Sequence, residues 1–536
     1  MFNKIQKLKL YKFISTHIEP ISLATGSLIV SIWTFVLFFV KSSTFDLVGQ
    51  QLLSRQWTSG FRSGAVIGPT NYILKIIFLY IPLNHLPGSP RLKLILLTIL
   101  INIVTYILLV IVIRKIYKIF FKDFTNKFYL ASLWLATIAG SMYWINFSNS
   151  RNIEVVGGLF LVYLGIRLSK KSRVWSYISI ASLSGIVFFA DPLQLYMSAV
   201  PLIIYLVGKF LFSSRLKTEF ITITKLVGSF VIGYVFAKFL SYLSSKIFGV
   251  KFIALTTHTN GYSRIQTVIH GFIPSFKHLA QLYTAGYQLG RGIEAINICF
   301  TVIIVLIGVY YAFKKLLPLR FSWFVAVFWA TNIFFYIISG QSLQSGTARY
   351  LIMTIPIMIL LTTAVVSIKH QLKPTIVWLV SLVVIINFAA LVYSLKIDWN
   401  PSFNKDSHIA SVISFMESSR YSFSYASMDS ALPSDYFSNG KVNILPLSCN
   451  PGGKITTSYL FFDASYYKFI VDSSFINNSA VQFFPLILDG NQITNSPNIC
   501  SQQDIVNQFG SYLSSTKLSD GSTVLIYQSN KLQSLI

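Results

Sequence analysis

The chain has 536 residues, 54% of them hydrophobic and 11% charged, with a formal net charge of +27. A soluble protein of this length carries about 25% charged residues. The deficit, together with repeated apolar runs of about 20 residues, excludes an ordinary soluble enzyme and points to a polytopic membrane protein.

The charges are unevenly placed. Residues 1–396 hold 37 Lys/Arg and 7 Asp/Glu, a balance of +30, whereas residues 397–536 hold 7 and 10, a balance of −3. A basic membrane region, 1–396, therefore precedes a tail, 397–536, that has no spanning segment and is long enough for one small domain. The basic excess is read as membrane topology, so no nucleic-acid partner is expected.

In chain order, the basic MFNKIQKLKLYK is followed by the apolar ISLATGSLIVSIWTFVLFFV. That run is too long for a signal-peptide core and no cleavage site follows it, so it reads as an uncleaved anchor with its basic flank in the cytoplasm. Further spans are expected at roughly 92–113, 128–146, 153–168, 174–190, 195–212, 219–240, 297–313, 321–338, 350–367 and 374–396, eleven in all. The segment 70–86 is apolar but short and contains Pro82, and reads as a re-entrant or interfacial helix of the first outer loop. With this parity the inner loops are the basic RKIYKIFFKDFTNK, RLSKKSR, SSRLK, FKKLLPLR and KHQLK, as the positive-inside rule requires. The N-terminus is then cytoplasmic, and the tail lies on the extracytoplasmic side of a plasma membrane.

Seven acids occur in the membrane region. Glu19, Asp123 and Glu219 fall at inner ends among lysines, where solvated pairing explains them. Asp46, Glu154, Asp191 and Glu294 fall in outer loops or at outer helix ends. Ionisable groups near membrane depth are expensive and usually line a cavity or pathway, so their clustering suggests a polar outer site. Each also has a local explanation. Glu154 and Glu294 each follow an arginine by three residues, Arg151 and Arg291, and could simply pair with it. Asp191 precedes Pro192 and could simply start a helix, and Asp46 could simply cap one.

A basic N-terminus, one span, and an outer loop that opens with an acid (KSSTFDLVGQQLLSRQWTSGFRSG) and carries a short interfacial helix together resemble the GT-C class of membrane glycosyltransferases. That class includes the protein mannosyltransferase and aminoarabinose transferase families. The resemblance covers the whole layout, with weak motifs. It implies an α-helical GT-C-like membrane domain of about eleven helices and a C-terminal extracytoplasmic mixed α/β domain. It also implies transfer of a sugar from a polyprenyl-phosphate donor to a glycan, lipid or protein acceptor. Asp46 stands where the family's catalytic acid belongs. Arg62, Arg151 and Arg349 stand at outer helix ends where a lipid phosphate would be held, and Glu154 and Asp191 would line the substrate site. The family often has a paired acidic motif. Here Asp46 is followed by Leu47, which fits a one-base inverting transfer and gives no support for a divalent metal.

No P-loop, dinucleotide fingerprint or metal-ligand spacing occurs, so no cofactor is expected. The loop 241–296, with His258, His270 and His278, reads equally as a sugar-binding lid or as an interfacial loop. In the tail, IASVISFMES and DIVNQFGSYLSS read as helices, and YSFSYAS, YKFIVDS and TVLIYQS as strands, with no catalytic triad. Cys449 and Cys500 could form a disulfide in an oxidising compartment or stay unpaired. Two other functions remain open: a flippase or transporter of a lipid-linked substrate, and a non-catalytic membrane scaffold of the same architecture.

Overall fold

Leu216–Phe248 is one unbroken helix of 33 residues, about 50 Å at 1.5 Å per residue. It sets the scale of a mostly helical chain. The structure is a computed structural model, and it describes residues 20–34, 45–61, 64–67, 73–121, 128–138, 152–168, 174–211, 216–252, 263–282, 291–343, 351–368, 373–396, 408–421, 423–449, 454–459, 462–476, 483–488 and 501–528.

Among the described residues, four helices are long and apolar enough to cross a membrane: Leu92–Phe120, Leu216–Phe248, Ala295–Phe313 and Leu319–Ile338. That is fewer than the eleven spans read from hydropathy. Val174–Ala190 and Leu195–Leu211 lie where spans were expected, but each has only 17 residues. At 1.5 Å per residue that is about 25 Å, short of the ~30 Å hydrocarbon core. Pro20–Thr34 and Thr354–Ser367 are likewise shorter apolar helices.

The chain divides into two compact units: residues 1–37, 98–240 and 255–397 form the first, and residues 38–97, 241–254 and 398–536 the second. The first unit is helical. Its helices meet through small residues and isolated polar pairs, the usual means of association where every surface is apolar. A Cβ on Gly26 would lie 2.0 Å from the Tyr106 hydroxyl. Asn102 donates to Thr34 at 3.0 Å and Asn297 to Asn387 at 3.0 Å. Glu219 pairs with Lys209 at 2.8 Å, as the sequence suggested, but the pair is largely covered, each side chain 15% exposed, and not solvated.

The second unit joins the first loop to the tail. The loop supplies a helix, Phe45–Thr58, a two-residue strand β1 (Val66–Ile67), and a helical segment, Ile73–Asn84, with a π turn at Ile76–Tyr80. Strand β2 (Lys251–Phe252) pairs with β1 in parallel. Gly64, at φ 82°, takes a backbone conformation that side chains disfavour, just before β1.

The tail forms a six-stranded sheet flanked by helices. Its strands are β3 (Ser424–Ser427), β4 (Ile444–Cys449), β5 (Ile455–Thr457), β6 (Phe483–Leu488), β7 (Ser514–Lys517) and β8 (Thr523–Gln528), in the order β5-β4-β3-β6-β8-β7. β4, β3 and β6 run parallel, and the outer strands are antiparallel. Helix Met428–Phe437 makes the crossover from β3 to β4, and Ala464–Ile476 precedes β6. The core under helix His408–Ser419 is formed by Val412, Met416, Ala426, Ile444, Ile487 and Val524.

The mixed α/β reading of the tail holds, with two corrections of detail. DIVNQFGSYLSS, read as a helix, is helical only to Phe509, where Gly510 at φ 77° ends the helix, and its last two residues open β7. YKFIVDS, read as a strand, lies inside the helix Ala464–Ile476. Asp463 caps that helix: its Oδ1 accepts from the Ser465 amide at 2.9 Å and from the Tyr466 amide at 3.3 Å. A short apolar run does not by itself distinguish strand from buried helix, and here the cap decides.

Candidate functional site

In the second unit, the first-loop helix begins with the acid read as the base and ends with a cation. Asp46 is its second residue. Arg55 is in the last turn. The guanidinium lies 5.0 Å from the centre of the Tyr436 ring, donates to the Tyr436 carbonyl at 3.3 Å, and reaches the Asn439 side chain. Gln51 and the Tyr436 hydroxyl form a short contact, and Gln56 accepts from the Asp463 amide at 2.8 Å. Trp57 stacks on Phe248 at 4.8 Å. The loop helix is thus fastened through its later residues, Gln51, Arg55 and Gln56, to helix Met428–Phe437 and to the start of Ala464–Ile476.

Asp435 sits beside this contact, fully buried, and its Oδ2 has no hydrogen-bond partner among the described residues. Burial pushes its carboxyl up to about 7, against the pull of the Arg55 charge. Burial also raises the Tyr436 hydroxyl, again opposed by Arg55. Neither Arg55 nor Asp435 stood out in the sequence, because 380 residues separate them and neither belongs to a motif.

The first unit holds two of the expected acids. Glu154, in the first turn of Asn152–Leu168, is buried. Asp191, also buried, accepts from the Leu193 amide and from the Gln194 side chain, both at 3.2 Å. Gln194 in turn accepts from Ser198 at 2.9 Å. This chain lies on the π turn Leu195–Ala199, a backbone form enriched at functional sites. Gly158 allows the two helices to cross here: a Cβ on it would lie 2.1 Å from Gln194 Oε1 and 2.4 Å from Ser198 Oγ. Glu154 is one turn before Gly158 on the same helix face. Glu154 and Asp191 are thus both buried, one on the helix that carries Gly158 and the other at the start of the segment that crosses it. Asp191 does start a turn, as its local reading required, and it also anchors a polar chain inside an apolar unit.

Arg62, Arg151 and Arg349 lie outside the described residues, as does Cys500. Cys449 is the last residue of β4, and Glu294 lies in the helix Arg291–Phe313. Among the described residues, no group of three or more His, Cys, Asp or Glu could hold a metal ion.

The tail also holds a constellation that spacing did not suggest. His408 Nδ1 lies 2.6 Å from Asp520 Oδ2 and 2.8 Å from Ser522 Oγ, and its Nε2 lies 2.5 Å from Ser430 Oγ. In the neutral tautomer Nδ1 donates to the carboxylate and Nε2 accepts the Ser430 proton, the order of contacts found in a serine nucleophile site. However, Ser430 is fully buried. A covered hydroxyl meets no substrate, so the cluster serves as a polar tie between helix His408–Ser419, helix Met428–Phe437 and the β7–β8 turn. Asp520 is held below the usual carboxylate range: burial raises it, but bonds from Ser522 and His408 outweigh that.

The chain matches no protein-family model and no curated protein.

Proposed function

We propose that this protein is a membrane glycosyltransferase of GT-C-like layout, moving a sugar from a polyprenyl-phosphate donor to an acceptor on the extracytoplasmic face. The reading takes the chain to have about eleven spans, a cytoplasmic N-terminus and an exported tail. The acceptor hydroxyl attacks the anomeric carbon while Asp46 takes its proton. The bond from that carbon to the lipid phosphate oxygen breaks, with inversion, and the phosphate leaves with its charge held by arginine, Arg349 first and Arg62 second. Arg151 would contact the substrate, and Glu154 and Asp191, which are buried, would shape the substrate site from behind its lining. No divalent metal is invoked.

The observation that carries this reading is the first-loop helix. Its fastening to the α/β tail through Gln51, Arg55 and Gln56 gives a fixed mount to a helix that starts at the proposed base. A base on a rigid element is placed more precisely than one on a free loop.

A second reading, a transporter of a lipid-linked substrate, draws on the burial of Glu154 and Asp191, because acids inside a helical membrane unit often line a pathway. One experiment separates the two. Purified protein in vesicles is given a panel of polyprenyl-phosphate sugars, and both covalent product and movement of the donor between leaflets are followed. Product that is lost in Glu154→Gln or Asp191→Asn supports the transferase. Movement without any product, lost in the same variants, supports the transporter and overturns the first reading.

A further inference from the structure

The helix Arg264–Leu282 has three distinct faces. One face is buried and made mainly of small or polar residues, Thr267, Gly271, Ser275 and His278, with Leu279 beside them. It packs on helix Leu319–Ile338 and on the turn Gln341–Leu343. Gly271 is required there, since a Cβ on it would lie 2.3 Å from Ser342 Oγ, and His278 Nδ1 meets the Tyr336 hydroxyl at 2.5 Å. The second face carries most of the large apolar side chains, and it is uncovered. Ile273 is 79% exposed and Ile265 74%, with Ile269, Phe272 and Phe276 beside them. The third face, next to the apolar one, shows Gln266, His270 and Lys277 to the outside.

This arrangement is inverted for a helix on a protein in water, where the large apolar face would be the buried one. It matches a helix lying in the plane of a lipid–water boundary, with its apolar stripe in acyl chains and a polar edge about a quarter-turn away among headgroups. The charge agrees. Arg264 and Lys277 are exposed, and no acid occurs between 264 and 282, which suits an anionic headgroup layer. Pro274 does not break the helix.

We infer that Arg264–Leu282 is an interfacial helix whose Ile265–Ile269–Phe272–Ile273–Phe276 face rests on the acyl chains of an anionic bilayer. This decides the open reading of the 241–296 loop in favour of a lipid contact over a sugar-binding lid for this helix. It does not depend on sugar transfer.

The test places nitroxide labels singly at 266, 269, 270 and 273 of the full chain. The three native cysteines (Cys299, Cys449 and Cys500) are changed to serine, and the protein is reconstituted in phosphatidylcholine–phosphatidylglycerol vesicles. Collision rates with oxygen, which concentrates in lipid, and with a water-soluble nickel chelate are compared. At 269 and 273 oxygen should exceed the chelate several-fold, and at 266 and 270 the order should reverse. Chelate dominance at 273 would place this face in water. Low rates of both at 273 would mean that protein covers it. Either result overturns the inference. Photo-crosslinking from benzoylphenylalanine at 273, with the native cysteines kept, gives a second reading. A lipid adduct is expected, and a dimer or an internal crosslink in its place contradicts it.

Discussion

Arg55 and Tyr436, 381 residues apart in sequence, meet twice: the guanidinium lies over the ring at 5.0 Å and donates to the carbonyl at 3.3 Å. A loop helix of 14 residues gains little stability alone. This contact, with those of Gln51 and Gln56, is what fixes it.

Arg55→Met should loosen the loop helix and leave Asp435 without the positive charge that opposes the effect of its burial. Arg55 is only half-buried, so the expected loss is about 1–3 kcal/mol, less than for a fully buried pair. Hydrogen exchange of residues 45–58 in the full chain should rise in the variant and remain close to wild type in Arg55→Lys.

Asp435 gives stability a pH dependence of known sign. Its carboxyl titrates near 7 in the folded chain and near 3.8 when unfolded. The folded state therefore holds the proton more tightly, and the associated stability is complete below the unfolded value and lost as pH rises through 7. At about 1.4 kcal/mol per unit, the loss approaches roughly 4 kcal/mol as an upper bound. Asp435→Asn should flatten this slope and raise the unfolding midpoint at pH 8 relative to wild type. An unchanged slope between pH 5 and 8 would remove Asp435 as its source.

The His408 tie has the opposite sign. Asp520 is depressed in the folded chain, so its contribution is present above the unfolded value and lost as pH falls through the lower, folded one. His408→Ala removes the partner of both Asp520 and Ser430, at about 1–3 kcal/mol. Exchange in β8 should accelerate in that variant at pH 7. A serine-directed fluorophosphonate should leave Ser430 unlabelled, since the hydroxyl is covered.

Gly158→Ala tests the buried crossing of the first unit. Its Cβ meets Gln194 and Ser198, so displacement of the Asp191–Gln194–Ser198 chain should cost about 1–3 kcal/mol. Gly228, within the long helix Leu216–Phe248, has nothing within 4 Å of the same atom. Gly228→Ala should therefore be neutral or stabilising by about 0.5–1 kcal/mol. Thermal midpoints in detergent compare the two.

The helices were the legible part of the chain, since an apolar run of twenty residues admits few alternatives. The tail was harder. IASVISFMES and TVLIYQS folded as read, into helix His408–Ser419 and strand β8. β4 and β6 were missed because each carries a proline, Pro446 and Pro485, which argues against an inner strand. Local patterns singled out Asp46, Glu154 and Asp191 as candidates. The Asp191–Gln194–Ser198 chain is local, but it depends on the turn into the π segment, which spacing alone does not announce. That Arg55 reaches Tyr436 could not be read at all, because this contact arises from packing between distant elements. His408, Ser430 and Asp520 were hidden for the same reason.

The central claim is sugar transfer with Asp46 as the base. The most direct test is transfer by the purified protein in lipid, with a panel of polyprenyl-phosphate sugars, wild type beside Asp46→Asn. Product from the wild type with loss of at least a hundredfold in Asp46→Asn, at equal expression and unchanged exchange of the tail, is the expected result. Full activity in Asp46→Asn would remove Asp46 as the base. Bound donor without product in the wild type would contradict the transferase itself.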